Sequence, residues 1–491
     1  MLFNSYIFIF IFLPLCLAGY FLLNRFGLKK TALAFLFGMS LWFYGYFNMS
    51  YLAIIVSSIV VNYLFYIVSK GLSGERVRKY FKWLAVFVNL GILFYFKYFD
   101  FFLSNLNSLI STDFALRNIL LPLGISFFTF QQLSFVIDAF NGDVPDYDFL
   151  SYACFVSFFP QLIAGPIVTH DELVPQLMDE KNKRFNYANF APGLYIFAIG
   201  MAKKVLLADT LGTVVDYCFA AVSDYRFEQI NSAAAWLAAV AFTLQLYFDF
   251  SGYSDMAIGI GKMFNVNIPG NFNSPYKALS IVDFWKRWHM TLTRFFTKYV
   301  YIPLGGNRRG NVRTYVNIMT VFFLSGLWHG ANWTFVLWGL MHGVGNCLSR
   351  MFRRFWNAVP KFIAWLCTFV YVVVAYVFFR ADNIMQGWFV VSRMIKIQPG
   401  SIHKEVLASF SQPELKLLST ALGGLGLAQP ELIVLLLFVA FCLLIAVFAR
   451  NSTERMDGLS LSIKESLVTV VLLVWCIFSF AGVSTFLYFN F

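Results

Sequence analysis

FNSYIFIFIFLPLCLAGYFLL, residues 3–23, carries no charged side chain. As a helix rising about 1.5 Å per residue it is long enough to cross the roughly 30 Å hydrocarbon core of a bilayer. It lacks the basic start of a signal peptide, so it reads as a retained membrane helix. Lys29 and Lys30 follow it, and the positive-inside rule then predicts an outward-facing N-terminus. The rest of the chain repeats this pattern. Hydrophobic residues make up 59% of the 491 positions and charged ones 13%, half the roughly 25% of soluble domains. Sixty phenylalanines suit surfaces that face lipid or pack helices.

Working outward, apolar runs at 31–47, 51–69 and 81–99 complete a first group. The run to Phe140 that opens at Leu121 is interrupted by Gln131, Gln132 and Asp138, so it reads as a buried or broken helix, and 148–168 is an apolar segment that contains Pro160 and Gly165-Pro166. Spans follow at 190–208, 232–250, 314–328, 332–348, 361–379, 430–449 and 465–489. On the order of 10 to 12 membrane-embedded helices are expected in all. The stretch 383–428 reads as peripheral and amphipathic. Residues 249–315 differ, with polar, Gly and Pro residues at membrane depth. Irregular backbone there must be buried in protein or line a watery cavity. The predicted fold is all-α: one polytopic membrane domain with N-terminal helices (1–245), a motif-bearing core (246–350) and C-terminal helices (351–491).

The net charge is +12. Its basic residues cluster between apolar runs, at Lys29-Lys30, Arg76-Arg78-Lys79, Lys181-Lys183-Arg184 and Arg350-Arg353-Arg354. These are topology anchors beside anionic headgroups; none has the motif context of a nucleic-acid reader. The seven cysteines show no C-x-x-C spacing, so neither a disulfide framework nor a zinc site is expected.

Five histidines are present: His170, His289, His329, His342 and His403. His329 lies in SGLWHGANW (325–333), where two apolar segments meet. An ionisable residue in such a segment is a functional candidate by default, and imidazole is a natural general base. The alternative is a packed histidine bonded to a neighbouring helix. His289 lies in DFWKRWHM (283–290). On a helix, Phe284, Trp285, Trp288, Leu292, Phe295 and Phe296 share one face, with Lys286, Arg287, Arg294 and Lys298 opposite. That predicts an interfacial helix whose basic face meets phosphates or headgroups. Gly305-Gly306-Asn307-Arg308-Arg309 either approaches an anionic group or forms a plain turn; it is not a P-loop. Asp249 and Asp255 stand near membrane depth and either pair with Arg or Lys or orient a histidine. His342 lies 13 residues past His329, about 220° round a continuous helix, so the two are not expected to share a face. His403 sits in a polar segment.

Taken together, residues 247–259, 283–306 and 325–343, with PQLIAGPI (160–167), resemble the membrane-bound O-acyltransferase family, particularly its bacterial branch that includes alginate O-acetylases. The resemblance runs over most of the chain; DFWKRWH (283–289) and SGLWHG (325–330) are its most specific carriers. It implies that His329 is the histidine essential for acyl transfer and that His289 is the second recurrent polar position. Relatives often carry an arginine soon after Gly-Pro-Ile, whereas this chain has Val168, Thr169 and His170.

The resemblance implies a cytoplasmic acyl thioester, acetyl-CoA or an acyl carrier protein, as substrate rather than bound cofactor. An acceptor hydroxyl arrives from the other side and loses its proton to His329, alone or with His289. Asn332 and Trp333 are candidate oxyanion donors; Lys286, Arg287, Arg294, Arg308 and Arg309 are candidates for the donor's phosphates. No metal is needed. The expected setting is a bacterial plasma membrane, and the expected process is O-acetylation of an exported polysaccharide such as alginate. An extracytoplasmic SGNH-type acetyltransferase is the expected partner. D-alanyl transfer to teichoic acid and peptidoglycan O-acetylation stay open, as do a flippase and an inactive scaffold.

Overall fold

The computed structural model describes residues 1–410, 412–457, 459, 462–482, 486 and 487, and among them the only regular structure is helical. A π-helical turn (Phe8–Phe12) leads into α1 (Leu13–Arg25), followed by α2 (Lys29–Gly45), α3 (Ser50–Gly71) and α4 (Glu75–Leu93). Short connections make these antiparallel neighbours. A second π turn (Phe94–Tyr98) joins α4 to α5 (Phe99–Ile110). Then come α6 (Ile125–Asn141), buried on nearly every side, α7 (Phe149–Ser157), the short α8 (Phe159–Leu162) and α9 (His170–Met178). α10 (Tyr187–Ala202) continues through a third π turn (Lys203–Ala208) into α11 (Asp209–Ser223).

α12 (Ser232–Met263) is the centre of the molecule, a 32-residue helix buried all round. At about 48 Å it exceeds the thickness of a bilayer core, so it runs tilted or protrudes. Its packing against α10 is unusually close. A Cβ on Gly200 would lie 2.6 Å from the Gly252 carbonyl oxygen, and one on Gly193 2.6 Å from that of Gly259. Two glycines seven residues apart on each helix therefore let the backbones touch, as small residues do in membrane bundles.

The core elements follow: α13 (Ile281–Arg287), α14 (Met290–Phe296), a fourth π turn (Thr297–Tyr301), then the hairpin α15 (Gly310–His329) and α16 (Trp333–Met351). Gly326 and Gly339 bring this hairpin to backbone contact. The chain continues through α17 (Arg353–Ala358), α18 (Lys361–Arg380), α19 (Ile384–Ile395), α20 (Lys404–Ser409), α21 (Pro413–Gly424), α22 (Pro430–Phe448), α23 (Ser452–Asp457) and α24 (Ile463–Phe478).

Several expectations change. Among the described residues seven helical segments are long and apolar enough to cross a membrane, fewer than the sequence reading gave. α2, α6 and α24 are shorter, and α15 and α16 more polar. Residues 249–263 are not irregular; they continue α12, and irregular backbone begins at Phe264. The boundaries at 245/246 and 350/351 fall inside α12 and α16, so they mark motifs rather than separable units. The last expected span is described as α24, and its end at 483–485 and 488–489 lies outside the described residues.

Contacts between loops define one end of the bundle. Lys29 pairs with Glu180 at 2.7 Å, Lys70 with Asp146 at 2.8 Å, and Lys82 donates to Asn141 at 3.2 Å. The opposite end gathers the close of α5, the α15–α16 turn and the α18–α19 turn, where Arg380 pairs with Asp216 at 2.8 Å.

Candidate active site

His329 is the last residue of α15, and Gly330 leaves the helix in extended conformation. Its Nδ1 lies 2.6 Å from the Ser325 carbonyl oxygen, and the side chain is 2% exposed. A carbonyl oxygen only accepts, so Nδ1 carries the proton and Nε2 holds the lone pair. The backbone of its own helix thus fixes the tautomer in which Nε2 acts as base.

Lys97 and Tyr98, from the second π turn, hold this helix end. The Lys97 ammonium donates to the Trp328 carbonyl at 2.6 Å, the His329 carbonyl at 3.2 Å and Ser126 Oγ at 3.3 Å. The Tyr98 hydroxyl donates to the Leu327 carbonyl at 2.8 Å. A cation on the last carbonyls of a helix is favourably placed against its dipole.

His289 sits at a break, not within a continuous interfacial helix as the sequence reading had it. Its φ of +43° separates α13 from α14, and Phe284, Trp288, Leu292, Phe295 and Phe296 are buried in protein. His289 Nδ1 is 3.1 Å from Asn271 Oδ1, which also accepts from the Thr291 amide at 3.3 Å and Thr291 Oγ1 at 2.9 Å. An oxygen that accepts from an amide makes His289 Nδ1 a donor too, so its Nε2 is likewise the lone-pair nitrogen. The two imidazoles are 6.4 Å apart between centroids, with the Trp328 ring 5.7 Å from His289 and 4.9 Å from His329.

His342 is closer to this centre than its spacing suggested. The chain reverses at residues 330–332, so the continuous-helix premise fails. The indole of Trp338 then lies 4.8 Å from His329 and 5.0 Å from His342. Trp285 Nε1 donates to His342 Nδ1 at 3.2 Å, which gives His342 the opposite tautomer.

Two cavities meet at Trp328. The larger, about 790 Å³, runs from Lys82, Asp138, Asn141 and Lys298 to Leu327, Trp328 and Trp333. The smaller, about 30 Å³, is bounded by Lys97, residues 121–127, Ile163, Trp328 and His329.

The other sequence candidates divide. Asn332 is a helix cap: its Oδ1 accepts from the Thr334 amide and its Nδ2 donates to the Asp382 carbonyl. Trp333 is 52% exposed, lines the large cavity and donates to Asn105. Trp333 has no side-chain N–H left for an oxyanion, and neither residue borders the small cavity beside His329. Arg287 pairs with Asp283 and Arg294 with Glu172. Lys286 lines a separate cavity of about 230 Å³ with Arg350 and Ser325. Arg308 and Arg309 lie in an exposed turn that Gly305, Gly306 and Gly310 make with positive φ, and neither borders the large cavity. Asp249 pairs with Lys204 at 2.7 Å and Asp255 with Lys203 at 2.6 Å.

What the sequence reading missed is polar and buried. Lys97 was visible as a charge deep in the apolar run 81–99, far from Lys82 at its start. Asp138 receives Lys298 and Tyr299 at 2.8 Å each, with His170 Nε2 at 3.6 Å. His170 therefore helps anchor the basic end of the large cavity.

Residues 41–388 match the membrane-bound O-acyltransferase family. A peptidoglycan O-acetyltransferase of Helicobacter pylori is 39% identical, over all of this chain and 98% of its own. A probable alginate O-acetylase of Pseudomonas aeruginosa is 38% identical over 87% of this chain and 82% of its own. A teichoic acid D-alanyltransferase of Bacillus subtilis is 26% identical over half of this chain and 63% of its own.

Proposed function

Because this chain belongs to the membrane-bound O-acyltransferase family, we propose that it carries an acetyl group from a cytoplasmic thioester across the membrane to a hydroxyl on the far side. The observation that carries the reading is the meeting of two cavities at Trp328 beside His329. The large one starts among Lys82 and Lys298, at the end that also holds the basic loops. By the positive-inside rule that end is cytoplasmic, which suits an anionic donor such as acetyl-CoA or an acyl carrier protein. The small one borders His329 near the opposite end. Lys82 to Lys97 is 15 residues, about 22 Å along the helix, a span that a long flexible thioester arm covers. Lys82, bonded to the neutral Asn141, is the candidate there for the donor's phosphate; Lys298, like Arg287 and Arg294, is already paired with a carboxylate.

In this mechanism the acceptor hydroxyl attacks the thioester carbonyl while His329 Nε2 takes its proton, a role worth roughly 10²–10⁴-fold in rate. His289 lines the same centre as the second polar group. The acceptor is a cell-surface polysaccharide, reached through an extracytoplasmic SGNH-type acetyltransferase in a bacterial plasma membrane. The end-to-end match to a peptidoglycan O-acetyltransferase favours peptidoglycan as the acceptor to test first, with alginate next. The D-alanyl relative matches half the chain and supports that reading less.

The test uses membrane vesicles containing the full chain and a radiolabelled acetyl thioester. His329→Ala is expected to lower transfer at least 10²-fold, with folding and polysaccharide export intact. Full acetylation by this variant refutes the mechanism, and loss of export with acetylation intact favours a flippase.

A further inference from the structure

We propose that the small cavity beside His329 is an oxyanion pocket built by Trp328, Lys97 and the start of α6. It rests on the acyl-transfer reading above. At about 30 Å³ the cavity admits a single oxygen and little else. Its walls are electropositive from two directions. α6 begins there: Gly124, at φ +72°, offers no capping side chain, so the positive end of a 17-residue helix borders the cavity. Gly124 is required, because a Cβ would lie 3.0 Å from Ile163 Cα. Trp328 is 4% exposed, lines the cavity, and its indole N–H finds no acceptor among the described residues. A buried donor without a protein acceptor in the wall of a cavity is placed to meet an oxygen that enters it. Lys97 spends its three N–H groups on Trp328, His329 and Ser126. It is therefore a positioning residue: it sets the helix end that carries both Trp328 and His329.

The acceptor oxygen bonds to the thioester carbonyl carbon, and its proton passes to His329 Nε2. The carbonyl π pair moves onto oxygen, and that anion takes the hydrogen bond of Trp328. On collapse the C=O bond re-forms, the C–S bond breaks, and the thiolate recovers the proton from the imidazolium. The products are an ester and a free thiol. Asn332 and Trp333 play no part in this, since neither borders the cavity.

Trp328→Phe keeps the ring and removes the N–H. In vesicles supplied with radiolabelled acetyl-CoA or acetylated acyl carrier protein, whichever the wild type turns over, kcat is expected to fall about 10²–10³-fold. KM for the thioester should stay within about threefold, because the anion exists only in the transition state. Lys97→Met should show the same split, and Lys97→Arg should recover at least a tenth of wild-type kcat. Wild-type kcat in Trp328→Phe overturns the pocket, as does an equal loss in Lys97→Met and Lys97→Arg with Trp328→Phe unaffected. If Lys97→Met does not fold, Trp328→Phe decides alone. His329→Ala separates the two readings: if it stays active, acyl transfer by His329 falls. If it is dead while Trp328→Phe is normal, only the pocket falls.

Discussion

Held at φ +43°, His289 adopts a backbone conformation that L-residues rarely take. Asn271 holds it there, accepting from His289, the Thr291 amide and the Thr291 hydroxyl through one oxygen, and from the Met290 amide through its backbone carbonyl. Asn271→Ala should lower stability by about 1–3 kcal/mol, the penalty for stranding buried donors, read as a lower unfolding temperature in detergent. Asn271→Asp keeps the acceptor and should retain most of the fold. An unchanged unfolding temperature in Asn271→Ala would show that the break is held by packing alone. At this scale the sequence was readable where chemistry is conspicuous: a histidine in an apolar run stands out, and His329 and His289 did. Asn332 announced a helix start, as Asn before an apolar run does, yet the count of 13 residues to His342 ignored it. Lys97 was passed over because nothing local says what an isolated lysine in an apolar run bonds to; the two carbonyls it holds lie on a helix more than 230 residues away.

The four π turns of the described residues are not scattered. Three of them carry lysines that bond within the bundle: Lys97, Lys203 with Lys204, and Lys298. A π turn inserts a residue into a helix and re-aims the side chains on it. Here it turns lysines from helices with lipid-length apolar runs toward carboxylates and carbonyls within the bundle. Such turns leave no sequence signature, so helix existence was legible and these irregularities were not. For the same reason Asp249 and Asp255 looked like a helix break, whereas Lys203 and Lys204 let α12 run on unbroken. The glycine contacts of α10 and α12 give this scale its prediction. Gly200→Ala should overpack the crossing and cost about 1–3 kcal/mol, and Gly252→Leu should abolish folded yield. Gly38→Ala, with nothing within 4 Å of the added carbon, should be neutral or stabilising. Equal unfolding temperatures for Gly200→Ala and wild type would remove the crossing from the account.

For the whole molecule, apolar composition told the class and the resemblance told the family, but not which loops meet. Helix alternation and the pairs Lys29–Glu180 and Lys70–Asp146 put the basic clusters at one end. A cysteine at Arg353 should therefore react with an impermeant maleimide only in opened vesicles, and one at Asp224 in intact cells. The reverse pattern would invert the orientation, and with it donor and acceptor sides. Trp328 stands between the two cavities, and this has a cost for any cell that loses it. On the proposed route the donor comes up the large cavity, and Trp328 is the wall that cavity shares with the pocket beside His329. Trp328→Ala removes the N–H together with the ring, so transfer to the hydroxyl should fall as it does in Trp328→Phe, while the share of consumed thioester that ends as free acetate rises. An unchanged share of acetate would show that the ring keeps no water out.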